Sequence, residues 1–154
     1  MLRSLMYSNK DKDKAFIEMM HDFVETHREM PASTESFKAV AEKHMPHAID
    51  LENNGRLDWF CRQWVYETEV PRYQFDYQLT PAADGKTKIH LSVTQSEVGN
   101  QFAMLVPIFA DFGKGFIRLG QLPVVGNTTK SFDFDLPAAP KKVALNAFKE
   151  ILER

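Results

Sequence analysis

The stretch GRLDWFCRQWVYETEVPRYQFDYQ, Gly55 to Gln78, decides how the chain folds. Its first half is apolar at helical spacing, through Leu57, Phe60, Cys61, Trp64 and Val65. Its second half alternates, with Tyr73, Phe75, Tyr77 and Leu79 separated by Gln74, Asp76 and Gln78. These are the two periods of helix and strand. Pro71 stands at the changeover. It lacks the amide that would continue a helix, and it drives Val70 toward an extended backbone. A helix carrying both tryptophans therefore passes straight into a sheet. Phe60 and Trp64, four apart, are expected to share a face, each buried side chain stabilising by roughly 1.5–3 kcal/mol.

Upstream, the pattern is helical. Phe16, Ile17, Met20, Phe23, Val24 and His27 make an apolar stripe over more than three turns, with Asn9 or Asp11 expected to cap it and place carboxylates in the first turn. Pro31 marks a break. Ser33 or Thr34 caps a second helix with the stripe Phe37, Val40, Ala41 and His44, and Pro46 ends it. A polar turn, Glu52 to Gly55, precedes the tryptophan helix. Leu2, Leu5 and Met6 read as the end of a further helix with no cap before it, as though cut. They are the first candidates for an apolar face left without a partner.

Downstream, the period is two. Asp84-Gly85 is a hairpin signal, and Ile89, Leu91 and Val93 follow in alternation with polar residues. Phe102 to Phe112 is apolar on both faces and reads as a buried strand, in which Pro107 requires a bulge or a free edge. Gly113 and Gly115 bracket a turn before Phe116, Ile117 and Leu119. Gly126-Asn127 turns into Phe132, Phe134 and Leu136, and Val143 and Leu145 close the set. About six to eight short strands with turns between them predict an antiparallel sandwich. The expected fold class is α+β, with a helical segment over 1–70 and a small β-sandwich of fibronectin type III or immunoglobulin kind over 71–154.

The 154 residues carry a net charge of −2 and no basic run, which speaks against nucleic-acid or anionic-membrane partners. No apolar run is long enough to span a bilayer. The single cysteine, Cys61, excludes an internal disulfide framework and a multi-cysteine zinc site.

No constellation for chemistry emerges. His44 and His47 are separated by Pro46, which breaks the helix that would align them. His21 and His27 lie on different helical faces, and His90 falls on the polar face of its strand. No HExxH is present. Cys61 sits beside Phe60 and Trp64 and reads as a small buried hydrophobe rather than a nucleophile. Glu67 and Glu69 read as solvated loop charges. Gly113-Lys114-Gly115 is a turn, since a phosphate loop needs a longer glycine pattern entering a helix. Tyr73, Phe75 and Tyr77 alternate as core residues do, with no basic patch to make them a base-stacking platform.

Leu57 to Tyr77 resembles the end of the catalytic domain in the gluzincin aminopeptidases, the alanyl-aminopeptidase type of zinc metallopeptidase. The shared features are an aromatic pair, Trp59 and Phe60, then Gln63-Trp64, then Pro71 and the alternating strand Tyr73 to Tyr77. The preceding helices look like the last of the thermolysin-like domain, and the sandwich like the family's small fibronectin-like domain. The likeness covers nearly the whole chain, and its specificity resides in the junction. The chain departs from the pattern at Glu67 and Glu69, where members often carry glycines, and at Cys61, where a large apolar residue is common.

The resemblance implies a C-terminal portion of such an enzyme, with every catalytic element upstream of Met1. Those elements are the HExxH and glutamate that hold zinc, the glycine-rich substrate motif and the tyrosine that stabilises the tetrahedral intermediate. Tyr7 and Tyr66 do not match that tyrosine in position. No residue here is assigned a catalytic, cofactor-binding or metal role, and zinc is expected only in the intact parent. There, a zinc-activated water attacks the peptide bond after the N-terminal residue. The implied partner is the remainder of the catalytic domain. A peptide substrate meets only the intact enzyme, and the isolated piece is expected to self-associate. Two rivals stand beside this reading: a free-standing sandwich module binding protein or glycan, and a small hydrolase using Cys61 with a histidine.

Overall fold

A computed structural model describes all of residues 1–154. The chain divides into two compact units, Met1–Thr68 and Glu69–Arg154.

The first unit is helical. α1 (Leu2–Met6) leads through a short loop, closed by paired backbone bonds between Ser8 and Lys12, into α2 (Lys14–Thr26). The cap of α2 is neither Asn9 nor Asp11. It is Asp13, whose carboxylate is held by Arg3 at 2.7 and 3.0 Å rather than by the helix amides, and the first turn holds no acid. The apolar stripe is also rotated from the expected one. Met19 is completely buried, with Phe16, Met20 and Phe23 half-buried beside it, whereas Ile17 (62 %) and Val24 (56 %) are exposed. Leu5 and Met6 are buried within this unit, which overturns their expected exposure.

α3 (Thr34–His44) starts at Ser33 with a reciprocal capping box: Ser33 Oγ accepts from Ser36 N, and Ser36 Oγ from Ser33 N. Its stripe packs as expected, with Phe37 edge-on to Phe23 of α2 at 5.1 Å. After Pro46 comes one 3-10 turn, His47–Ile49, then the polar loop.

The tryptophan helix differs from the expected α-helix. Only Asp58–Cys61 (α4) is α-helical, and Arg62–Tyr66 continues as a π turn. The wider turn changes which residues face inward. Leu57, Trp59, Cys61 and Gln63 are buried, Phe60 and Trp64 are half-buried, and Val65 is exposed. The shared Phe60/Trp64 face therefore does not form the core of this element. Trp59 does: it is 1 % exposed and its indole N–H donates to Ile49 O at 3.1 Å.

The second unit is two three-stranded antiparallel sheets. One has the order β1-β2-β5, from Arg72–Pro81, Thr87–Ser96 and Thr128–Leu136. The other has the order β4-β3-β6, from Phe116–Val125, Ala103–Asp111 and Lys142–Leu145. The chain is thus α+β, helices first and a small β-sandwich after. Asp84 and Gly85, both in the left-handed region, close the β1–β2 hairpin. Ile89, Leu91 and Val93 are fully buried. β3 is buried on both faces: Met104, Val106, Ile108 and Ala110 point one way, and Phe109 points the other, edge-on to Phe148 at 5.1 Å.

Pro107 stands in the central strand of its sheet, next to a bulge and where pairing with β6 ends. The register slips between Ile108 and Phe109, leaving Leu119 of β4 unpaired as a bulge. Pairing with β6 begins only at Ile108, and the Pro107 carbonyl accepts from Asn146 N at 2.9 Å, just past the end of β6. A strand residue's N–H and C=O share one side, so the donor that proline lacks faces the end of the β6 pairing, where only its carbonyl is used.

Candidate functional site

Two features of the sandwich unit lie outside the sequence-based expectations. The first is Gln95, a polar side chain with no exposure at the core end of β2. All of its groups are used. Nε2 donates to Gly126 O at 2.9 Å and Phe102 O at 3.3 Å, and Oε1 accepts the Tyr73 hydroxyl at 3.0 Å. It therefore ties β1 and β2 to the turn before β3 and the turn after β4. Burial pushes the Tyr73 phenol well above its ordinary value, with the Glu153 carboxylate adding to the shift, so Tyr73 stays a neutral donor. One signal was available: Gln95 has the same parity as Ile89, Leu91 and Val93, placing it on the core face.

The second feature is a cavity of about 160 Å³ lined by Ile108, Leu119, Gly120, Gln121, Leu122 and Phe134. It lies where β4 and β5, each the edge of its own sheet, come close to one another. The bulge and Gly120 create the space, because no other group lies within 4 Å of where a Gly120 Cβ would sit. The lining is apolar apart from Gln121 and carries no titratable group. Such a space receives one apolar group of about single-ring size. It contains nothing that transfers a proton, a nucleophile or an electron.

The residues considered from sequence lie apart. His27 Nδ1 is 2.9 Å from Phe23 O, within its own helix. His44 Nε2 meets Asp22 Oδ2 at 2.8 Å, and Lys43 donates to the same oxygen at 2.8 Å. These two hydrogen bonds, from Lys43 first and then His44, lower the Asp22 carboxyl from its usual 3.8 to about 2. His21 and His47 are exposed, and His90 sits on the surface against Asp133 at 3.0 Å. No group of three or more His, Cys, Asp or Glu is placed to hold a metal ion.

Cys61 is buried, and burial raises its thiol, disfavouring the thiolate. Nearby, Lys38 spans from Asp58 to Glu42, whose Oε1 accepts Leu57 N at 2.8 Å and so caps the start of α4. The hydrogen bond to Asp58 raises the Lys38 ammonium and lowers the Asp58 carboxyl. This is a helix-to-helix tie, with both charges locked in their ionised forms.

Glu67 and Glu69 are not in left-handed backbone, so the junction has no need of glycine there. Glu69 accepts Gly99 N at 2.8 Å. In the Gly113–Gly115 turn, Asp111 Oδ1 accepts both glycine amides, at 2.6 and 3.0 Å. An anion is already in place there, which excludes a phosphate cradle. No protein-family model, curated protein or solved structure matches this chain.

Proposed function

We propose that this chain is the non-catalytic C-terminal portion of a gluzincin zinc aminopeptidase, supporting the domain that removes N-terminal residues from peptides. One observation carries the reading. The junction Leu57–Tyr77 has an aromatic pair, Gln-Trp, a proline and an alternating strand in the order that resembles the family's, and it links a helical unit to a two-sheet sandwich in the chain. It is supported by the burial of Trp59 and Gln63, two of the motif's residues. It is further supported by apolar surface on the helical unit, at Ile17, Val24, Met30, Val65 and Tyr66. Such surface suits a unit that continues into a larger helical body. The two three-stranded sheets fit a fibronectin-like domain.

Zinc does not fit any residue set of this chain, since neither an HExxH nor a three-ligand cluster is present. No catalytic step is assigned to these residues. The test is an assay of the purified chain on N-terminal aminoacyl amides with zinc added. No turnover and no stoichiometric zinc binding are expected; either one overturns the proposal.

A second reading has its own support. The sandwich exposes Ile117, Val125, Phe148 and Leu152 and carries the cavity, as a free-standing interaction module would.

A further inference from the structure

The loop between the buried residues Ile49 and Leu57 places four groups around one peptide bond. Gly55 N donates to Asp50 Oδ2 at 3.0 Å, within the reach of a general base. Asn54 Oδ1 accepts Arg56 N at 2.9 Å, which folds the carboxamide over the Gly55 peptide and gives its oxygen a backbone donor. The ring closed by that bond contains both Asn54 Cγ and Gly55 N. Asn54 Nδ2 donates to Glu52 Oε2 at 3.3 Å. The other Asp50 oxygen accepts Asn54 N at 3.1 Å, fixing the carboxylate in place. Gly55 has φ +70°, is exposed, and has no heavy atom within 4 Å of a would-be Cβ, so no side chain blocks that face of the loop.

We propose that Asn54-Gly55 is a self-processing site at which the folded loop accelerates its own deamidation. Gly55 N attacks Asn54 Cγ as its proton passes to Asp50. The charge that develops on Oδ1 is stabilised by the Arg56 N–H. The Cγ–Nδ2 bond then breaks, and the nitrogen leaves as ammonia, taking up the proton that Asp50 holds. The product is a five-membered imide joining residues 54 and 55. Water adds to either imide carbonyl: opening at Cγ gives aspartate, and opening at the main-chain carbon gives isoaspartate. The net change is one water consumed and one ammonia released, with no oxidant or metal.

Holding the two reacting atoms in one closed ring, with base and oxyanion donor preset, removes orientational freedom that an unfolded Asn-Gly must lose. The product places a new carboxylate beside Asp50 and Glu52. In the isoaspartate form it also adds a backbone carbon between Ile49 and Leu57. Ile49 supplies the carbonyl that holds Trp59, so the site acts as a slow clock on this end of the helical unit.

The test follows conversion at residue 54 by peptide mapping of the intact chain aged at neutral pH, folded and in denaturant. The folded chain is expected to convert faster than the denatured one by roughly tenfold or more. Asp50→Asn is expected to slow the folded conversion markedly, by removing the base while the Asn54–Arg56 ring remains. A folded rate at or below the denatured rate overturns the proposal, whatever the variant does. So does a folded Asp50→Asn protein, with an unchanged circular dichroism spectrum, that converts as fast as wild type.

Discussion

Trp59 shows how one side chain organises its surroundings. It is the largest fully buried residue of the helical unit, and its single polar atom is satisfied by Ile49 O. Trp59→Phe leaves that carbonyl without its donor and is expected to cost about 1–3 kcal/mol. Trp59→Ala adds a cavity and is expected to cost about 3–5 kcal/mol. Chemical denaturation followed by circular dichroism checks both, and equal losses for the two variants would contradict the assignment. Asp22 offers a test in pH. Its carboxyl is lowered in the folded state to about 2, so its ionised form is favoured by folding. The resulting stability is fully present above the unfolded value near 4 and is lost as pH falls toward 2. Asp22→Asn is expected to flatten that part of the stability profile, measured by urea midpoints across acid pH. An unchanged acid slope would contradict the role given to Lys43 and His44.

At the scale of the element, turns explain more than strands do. Gly126 has φ +69°, and a Cβ there would lie 2.7 Å from Asn100 O, a backbone atom that cannot swing away. Its own carbonyl also holds Gln95. Gly126→Ala is expected to cost more than the roughly 1–2 kcal/mol of left-handed strain alone. Gly120→Ala meets nothing within 4 Å and carries no such φ, so it is expected to stay within about 0.5 kcal/mol of wild type. Thermal melts of the two variants decide this, and similar losses would refute it.

The strands were legible because alternation is local: Ile89, Leu91 and Val93 point inward simply by parity. Pro107 was legible for the same kind of reason, since its missing donor restricts where it can stand. The tryptophan helix was misread because one π turn shifts the inward face, and no residue type announces it. The stripe of α2 was misread because apolar Ile17 and Val24 satisfy the period while remaining at the surface. The cavity was invisible because it arises from a bulge in one sheet meeting the edge of another. Gln95 could have been found by parity, but its partners come from turns far away in sequence.

At the scale of the whole molecule, the account rests on the order of parts: a helical unit with Trp59 buried near its end, then a sandwich of two three-stranded sheets. Neither unit brings together three metal-ligating side chains, and burial holds the Cys61 thiol in its protonated form. The most direct measurement is the DNA sequence upstream of the codon for Met1. The account predicts an open frame continuous with this one, encoding an HExxH and a downstream glutamate ligand. An in-frame stop followed by a ribosome-binding site immediately before Met1 would contradict it and leave the interaction module in its place.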